Sequence, residues 1–127
     1  MKYLPDTNIF IGAAKGYLPE ANFLSKAIEK EQIVISPIVV AEFLANADVM
    51  EEKSFEELIS HFDILPINLN VAKLAAEYRK NSLKSTRVHL LDCFLAAQAK
   101  LNNLTLVTHN KDDFPMKDIK VLSPRQK

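Results

Sequence analysis

The chain alternates short apolar runs with longer stretches in which apolar positions recur at helical spacing. Lys2 to Pro5 reads as a first strand. The mostly apolar Gln32 to Ile35 (QIVI) reads as a second, as expected for a strand buried in a parallel sheet. Asp63 to Pro66, Leu104 to Thr108 (LTLVT) and Ile119 to Leu122 bring the set to five, with Pro124 closing the last. Helical segments lie between them. Thr7 to Lys15 follows the first strand. In Pro19 to Lys30, Ala21, Leu24, Ala27 and Ile28 share one face. Ser36-Pro37 is a helix start, with serine as N-cap and proline at the first helical position, and that helix runs to about Asn46. Ser54 to His61 reads as a further helix, capped by Ser54 with Glu57 three residues on. Asn70 to Lys84 is amphipathic, with Val71, Leu74, Ala75 and Tyr78 together. His89 to Asn102 is the last helix, ended by Asn103. Strands alternating with helices predict a three-layer α/β/α domain on a five-stranded, mainly parallel sheet, with 1–127 as one domain.

Composition narrows the classes. Glycine occurs only at Gly12 and Gly16, so no glycine-rich phosphate loop is present, which removes P-loop and dinucleotide-binding readings. The single cysteine, Cys93, excludes an internal disulfide. The N-terminus MKYLPDTNIF lacks a long apolar stretch, and no apolar run approaches the ~20 residues of a membrane span. A cytoplasmic protein without a membrane partner is therefore expected. Lysine plus arginine equals aspartate plus glutamate, at 16 each, so any attraction to nucleic acid must come from a local patch. From Tyr78 to Leu91 there is no acid, while Arg79, Lys80, Lys84 and Arg87 are present. That run reads equally well as a solvated face or as a phosphate-binding one. The C-terminal Lys117, Lys120, Arg125 and Lys127 repeat the theme more weakly, and the acidic run from Asp48 to Glu57 reads as a solvated helix face.

In an open parallel sheet, ligands bind beyond the carboxyl ends of the strands. Asp6 follows the first strand directly. Glu42 lies six residues past Ser36, in the helix after the second strand. Thr108 ends the fourth strand, with Asn110, Asp112 and Asp113 just beyond. Glu42 interrupts the apolar run IVVAEFLA, and Asp92 interrupts LLDCFLAAQA. Taken singly, Asp92 is an acid in a helix's first turn, where the helix dipole favours it, and Glu42 is an exposed helical position. With Asp6 they make three acids on separate segments, each beside apolar neighbours, and a charge so placed is costly unless paired or bound to metal. Clustered carboxylates raise one another's pKa values, and a hard cation such as Mg²⁺ or Mn²⁺ relieves the repulsion. Such an ion lowers the pKa of a water and offsets charge on a phosphate, so phosphodiester hydrolysis is the chemistry implied. His61, His89 and His109 have no zinc-type spacing, and Cys93 reads as packed beside Asp92 without a histidine to activate it.

These residues resemble a known family. YLPDTNIFI at the N-terminus, ISPIVVAEF around Glu42, LLDCFLAAQA around Asp92 and LTLVTHNKDDF near the end are similar, in order and spacing, to the motifs of PIN-domain ribonucleases. The closest likeness is to VapC-type toxins of type II toxin–antitoxin pairs. The resemblance covers essentially the whole chain and implies a metal-dependent endoribonuclease on a five-stranded parallel sheet flanked by helices. It places Asp6, Glu42 and Asp92 at the acidic metal-binding positions, and implies an RNA substrate, an antitoxin partner and a homodimer. The chain departs from the pattern twice. Pro5 stands where an apolar residue is usual, removing one backbone donor at the strand end. Asn110 stands at the usual fourth acidic position, so Asp113 becomes the candidate substitute, ahead of Asp112. Asn8 and Thr108 are candidate supporting hydrogen-bonders, or equally an N-cap and a strand-end turn residue. Two rivals stand beside this reading. A PIN domain that binds RNA without cutting it is kept open by Asn110. A phospho-accepting receiver domain is disfavoured, since it needs an acid pair after the first strand, an aspartate after the third and a lysine after the fifth.

Overall fold

In a computed structural model describing residues 1–82 and 88–125, all five strands occur where expected and every pairing is parallel. They are β1 (Tyr3–Pro5), β2 (Val34–Ile35), β3 (Asp63–Ile64), β4 (Thr105–Val107) and β5 (Lys120–Leu122). The helices are α1 (Thr7–Ala14), α2 (Leu18–Glu29), α3 (Pro37–Asn46), α4 (Val49–Ile59), α5 (Leu69–Ser82) and α6 (Leu90–Leu101).

The strands do not form one continuous sheet of five. β1, β4 and β5 make a three-stranded sheet with β4 in the middle, while β2 and β3 pair separately. A single parallel bridge between Tyr3 and Ile33 links the two parts. The reason lies in the direction of the β1 backbone groups. Along a strand, successive residues turn their N–H and C=O to alternate sides. Tyr3 donates to the Gln32 carbonyl at 2.7 Å, whereas Asp6 donates to the Val107 carbonyl at 2.8 Å. Tyr3 and Pro5 thus face β2, and Leu4 and Asp6 face β4. The donor that proline lacks is the one that would have carried the ladder on to β2. The β4 side loses nothing, and its register runs from Tyr3–Thr105 to Pro5–Val107.

Leu4, Ile9, Ile35, Leu95, Leu106 and Val107 are fully buried between strands and helices. The pairs α1–α2 and α5–α6 each pack together, and α3 touches both α1 and α6. Phe55 of α4 stacks on Phe43 of α3 with ring centres 4.1 Å apart and meets Phe10 of α1 edge-on at 5.5 Å. α4 starts earlier than its serine suggested. Asp48, not Ser54, is the N-cap, accepting from the Glu51 amide at 2.8 Å while the Glu51 side chain accepts from the Asp48 amide at 3.0 Å. Asp48-x-x-Glu51 is thus a complete capping box, and part of the acidic run caps a helix. At the far end of α6, Asn103 adopts φ 53°, a left-handed conformation that asparagine tolerates and that turns the chain into β4. No helix among the described residues is long and apolar enough to cross a membrane.

Candidate active site

Asp6 leaves β1 and immediately caps α1, its side chain accepting from the Ile9 amide at 3.4 Å. That takes the capping role suggested for Asn8, which instead lies exposed in the first turn of α1. Ser36, buried, caps α3 by accepting from the Ile38 amide at 3.1 Å, and Glu42 lies half-buried in that helix. Asp92 lies in the first turn of α6, whose N-cap, His89, makes no side-chain bond to the helix. Its negative charge therefore sits where the helix amides are least satisfied.

Asp6, Glu42 and Asp92 line one polar cavity of about 240 Å³, together with Thr7, Asn8, Asn46, Ile11 and Leu95. The Thr7 hydroxyl donates to Glu42 Oε1 at 2.6 Å, joining α1 to α3 across the cavity. Burial pushes the Asp6 carboxyl up to about 6, against the Thr108 hydroxyl, the Ile9 and Asn8 amides and the charge of His109. The buried Thr108 hydroxyl favours the charged form of Asp6 without reaching full hydrogen-bonding geometry, and it has no other partner among the described residues. Asp92 is also raised to about 6, first by burial and then by the negative charges of Asp6, Asp113 and Glu42, with His89 opposing. Four carboxylates thus share one field. Asp113, exposed in the 3₁₀ turn Lys111–Asp113 after β4, is among them, and Asp112 is not. Asn110 has its side-chain oxygen engaged, capping that turn by accepting from the Asp112 amide at 3.0 Å. Phe114, buried, anchors the turn's far end.

Among the described residues, no three acid, histidine or cysteine side chains are gathered tightly enough to grip an ion by themselves. The donor set nonetheless suits a hard cation that keeps part of its water shell, since it consists of carboxylate oxygens with a buried hydroxyl behind them.

The neighbouring candidates are placed as follows. Cys93 is fully buried and its thiol is pushed up by burial, so it offers no nucleophile. Arg79 is half-buried and donates to the Val88 carbonyl at 2.7 Å, tying the end of α5 to the start of α6, while Lys80 is exposed. Lys84, Arg87 and Lys127 lie outside the described residues. Sequence reasoning passed over Thr7 and Asn46. Thr7 adjoins Asp6, and Asn46 is one helical turn beyond Glu42 on α3, so both were within reach of a search around the acids.

The family model for the PIN domain matches residues 3–120 of this chain. The chain belongs to the PIN domain family. Ribonuclease VapC10 of Mycobacterium tuberculosis is 26% identical over 114 residues, covering 89% of this chain and 86% of the relative. A toxin–antitoxin complex from Klebsiella pneumoniae contains a chain 27% identical, with a TM-score of 0.80 over 99% of this chain and 100% of that one. VapBC2 from Rickettsia felis, solved bound to a DNA fragment from its promoter, gives a TM-score of 0.81 at 22% identity, over 97% and 98% of the two chains. The likeness to VapC proteins read from the four sequence motifs is thereby borne out over nearly the whole length of this PIN domain.

Proposed function

We propose that this PIN domain, acting as one domain over the whole chain, is a cytoplasmic endoribonuclease that hydrolyses RNA phosphodiester bonds with Mg²⁺ or Mn²⁺. We further propose that it is the toxin of a toxin–antitoxin pair, held by a cognate antitoxin and working as a homodimer. The observation that carries the nuclease reading is the convergence of Asp6, Glu42 and Asp92 on one cavity in which two of the carboxyls are raised to about 6. Acids gathered at that cost, with no basic side chain among the described residues that line the cavity, call for a cation from outside. The toxin reading is supported by the relatives: one is named a ribonuclease, and others were solved as toxin–antitoxin complexes.

Asp6, Glu42 and Asp92 would hold the ion, with Asp113 adding a fourth charge from the rim. When bound, the ion would lower the pKa of a water and offset the phosphate's charge. The chain's own contribution is orientation. Thr7 fixes Glu42 by its 2.6 Å bond, and the Ile9 amide fixes Asp6. Asn8, exposed and lining the cavity, would donate to the substrate. Lys80, with Arg79, Lys84 and Arg87, would hold flanking phosphates, contacts that give affinity without reading sequence.

The test is cleavage of RNA by the purified chain with Mn²⁺ and with EDTA. Cleavage that requires Mn²⁺ is expected, and Asp113→Asn should raise the Mn²⁺ concentration needed, while Asp112→Asn does little. Cleavage undiminished in EDTA would overturn the metal reading. RNA retained but never cut, with Mn²⁺ present, would favour the binding module that Asn110 at the fourth position leaves open.

A further inference from the structure

Glu20 was read from the sequence only as part of a helix, yet its side chain is fully buried. It projects from the first turn of α2 onto α1, where only Gly12 leaves room for it. A Cβ at Gly12 would lie 2.9 Å from Glu20 Cγ and 3.2 Å from its Cδ and Oε2. The carboxylate is met by two side chains from distant parts of the chain. Arg125 Nε donates to Glu20 Oε1 at 2.5 Å and its second nitrogen to Oε2 at 3.4 Å. His109 Nε2 lies 2.7 Å from Oε1, within ion-pair distance but without hydrogen-bond alignment.

His109 is held by its backbone as well. The Ser123 hydroxyl, buried just after β5, donates to the His109 carbonyl at 2.9 Å and accepts from the Arg125 amide at 3.2 Å. This residue therefore sits in a clamp whose other jaw is Glu20. On one side of it is Thr108, facing Asp6. On the other is Asn110, the cap of the turn that carries Asp113. The turn has one fixed end at Phe114, and His109 is the other.

We propose that Glu20 is a positioning residue of the acidic site: through its contact with His109 from α2 it fixes the turn after β4 that carries Asp113. The functional part rests on the metal-nuclease reading above, while the mechanical part does not. Two variants separate them. Glu20→Gln keeps the volume and loses the charge. His109→Gln leaves the Glu20–Arg125 pair intact, and it decides the matter should Glu20→Gln fail to fold.

Amide hydrogen exchange, measured without metal or RNA, reads the mechanical part. Amides 110–114 should exchange about tenfold faster in either variant, with those of β1 and β4 as in the parent. Unchanged exchange at 110–114, or equal acceleration throughout the chain, would overturn the proposal. Mn²⁺ affinity, read by electron paramagnetic resonance, tests the route to the site. Either variant should weaken it by about tenfold, the low end for a group that orients a ligand from behind. In an Asp113→Asn background the same substitutions should weaken it no further. An equal loss in both backgrounds would mean a general structural effect and would overturn the assignment. Were the parent to bind no Mn²⁺ at all, the metal reading would fall, and the exchange result alone would still uphold or overturn the grip of Glu20 on the turn.

Discussion

Glu20 and Asp6 are both buried acids, one behind α1 and one in front of it, and their environments treat them in opposite ways. Burial acts to raise both. At Glu20 the hydrogen bond from Arg125, the backbone and the charges of His109 and Arg125 outweigh it, and the carboxyl is held below its usual range. At Asp6 burial wins, and the carboxyl is pushed up to about 6. Solvent contact does not separate the two, since Glu20 is 0% and Asp6 7% exposed, but depth does in part: Asp6 lies much deeper among protein atoms, so burial weighs more on it. Positive charge separates them further. The rear carboxylate is compensated by the chain itself, whereas among the described residues no lysine or arginine lines the cavity of Asp6, Glu42 and Asp92. A buried acid with its own cation is a structural tie; a group of acids without one suits the cation proposed above.

The sharpest way to break the comparison is to remove the front charges. Asp6→Asn, Glu42→Gln and Asp92→Asn should each lower RNA cleavage by about 100-fold or more, the scale for losing a group that stabilises charge as it develops. Each metal-free variant should melt no lower than the parent, because a repulsion has been removed. Cleavage assays with matched melting curves check both, and near-normal turnover in any of the three would take that residue out of the site. Next in size is the rear. Arg125→Ala leaves Glu20 with His109 alone and should cost roughly 2–3 kcal/mol in denaturant unfolding, the scale for a charged hydrogen bond lost from a buried carboxylate. A loss under about 0.5 kcal/mol, as for an ordinary surface position, would show that the pair contributes little.

The pH dependence is smaller and has a definite sign. Asp6 and Asp92 titrate at about 6 in the folded chain against an ordinary 3.8. The folded chain therefore binds these protons more tightly than the unfolded chain does. Metal-free stability should rise as pH falls through about 6, and this gain is lost as pH rises back through it. Between roughly pH 7 and pH 5 the gain should be on the order of 1–2 kcal/mol, and Asp6→Asn should remove its own share. The smallest effect belongs to the basic run. Lys80→Ala should flatten the salt dependence of RNA binding by about one unit of slope at most. An unchanged slope would leave Lys80 as a merely solvated side chain.

Much of this was legible before folding. The strands announced themselves as short apolar runs, and Glu42 and Asp92 stood out because each broke an apolar stretch at a place a buried helix could not tolerate without reason. What was not legible depended on partners or parity. Glu20 looked like an ordinary acid after Pro19, because nothing local reveals that Arg125, 105 residues away, will meet it. The start of α4 was misplaced because Asp48–Glu51 and Ser54–Glu57 have the same cap spacing, and only the first forms the reciprocal bonds. Pro5 was recognised as a lost donor, but which neighbour would feel the loss depends on whether residue 5 faces β2 or β4, a matter of register fixed only by pairing.

The central claim is that the front acids are gathered to hold a divalent cation, and direct Mn²⁺ binding to the purified chain tests it without reference to RNA. Titration at pH 7, followed by calorimetry or electron paramagnetic resonance, should show saturable binding. That binding should weaken at pH 5, as Asp6 and Asp92 take up protons, and disappear in Asp6→Asn. Absence of saturable binding at pH 7, or equal binding by the parent and Asp6→Asn, would contradict the account.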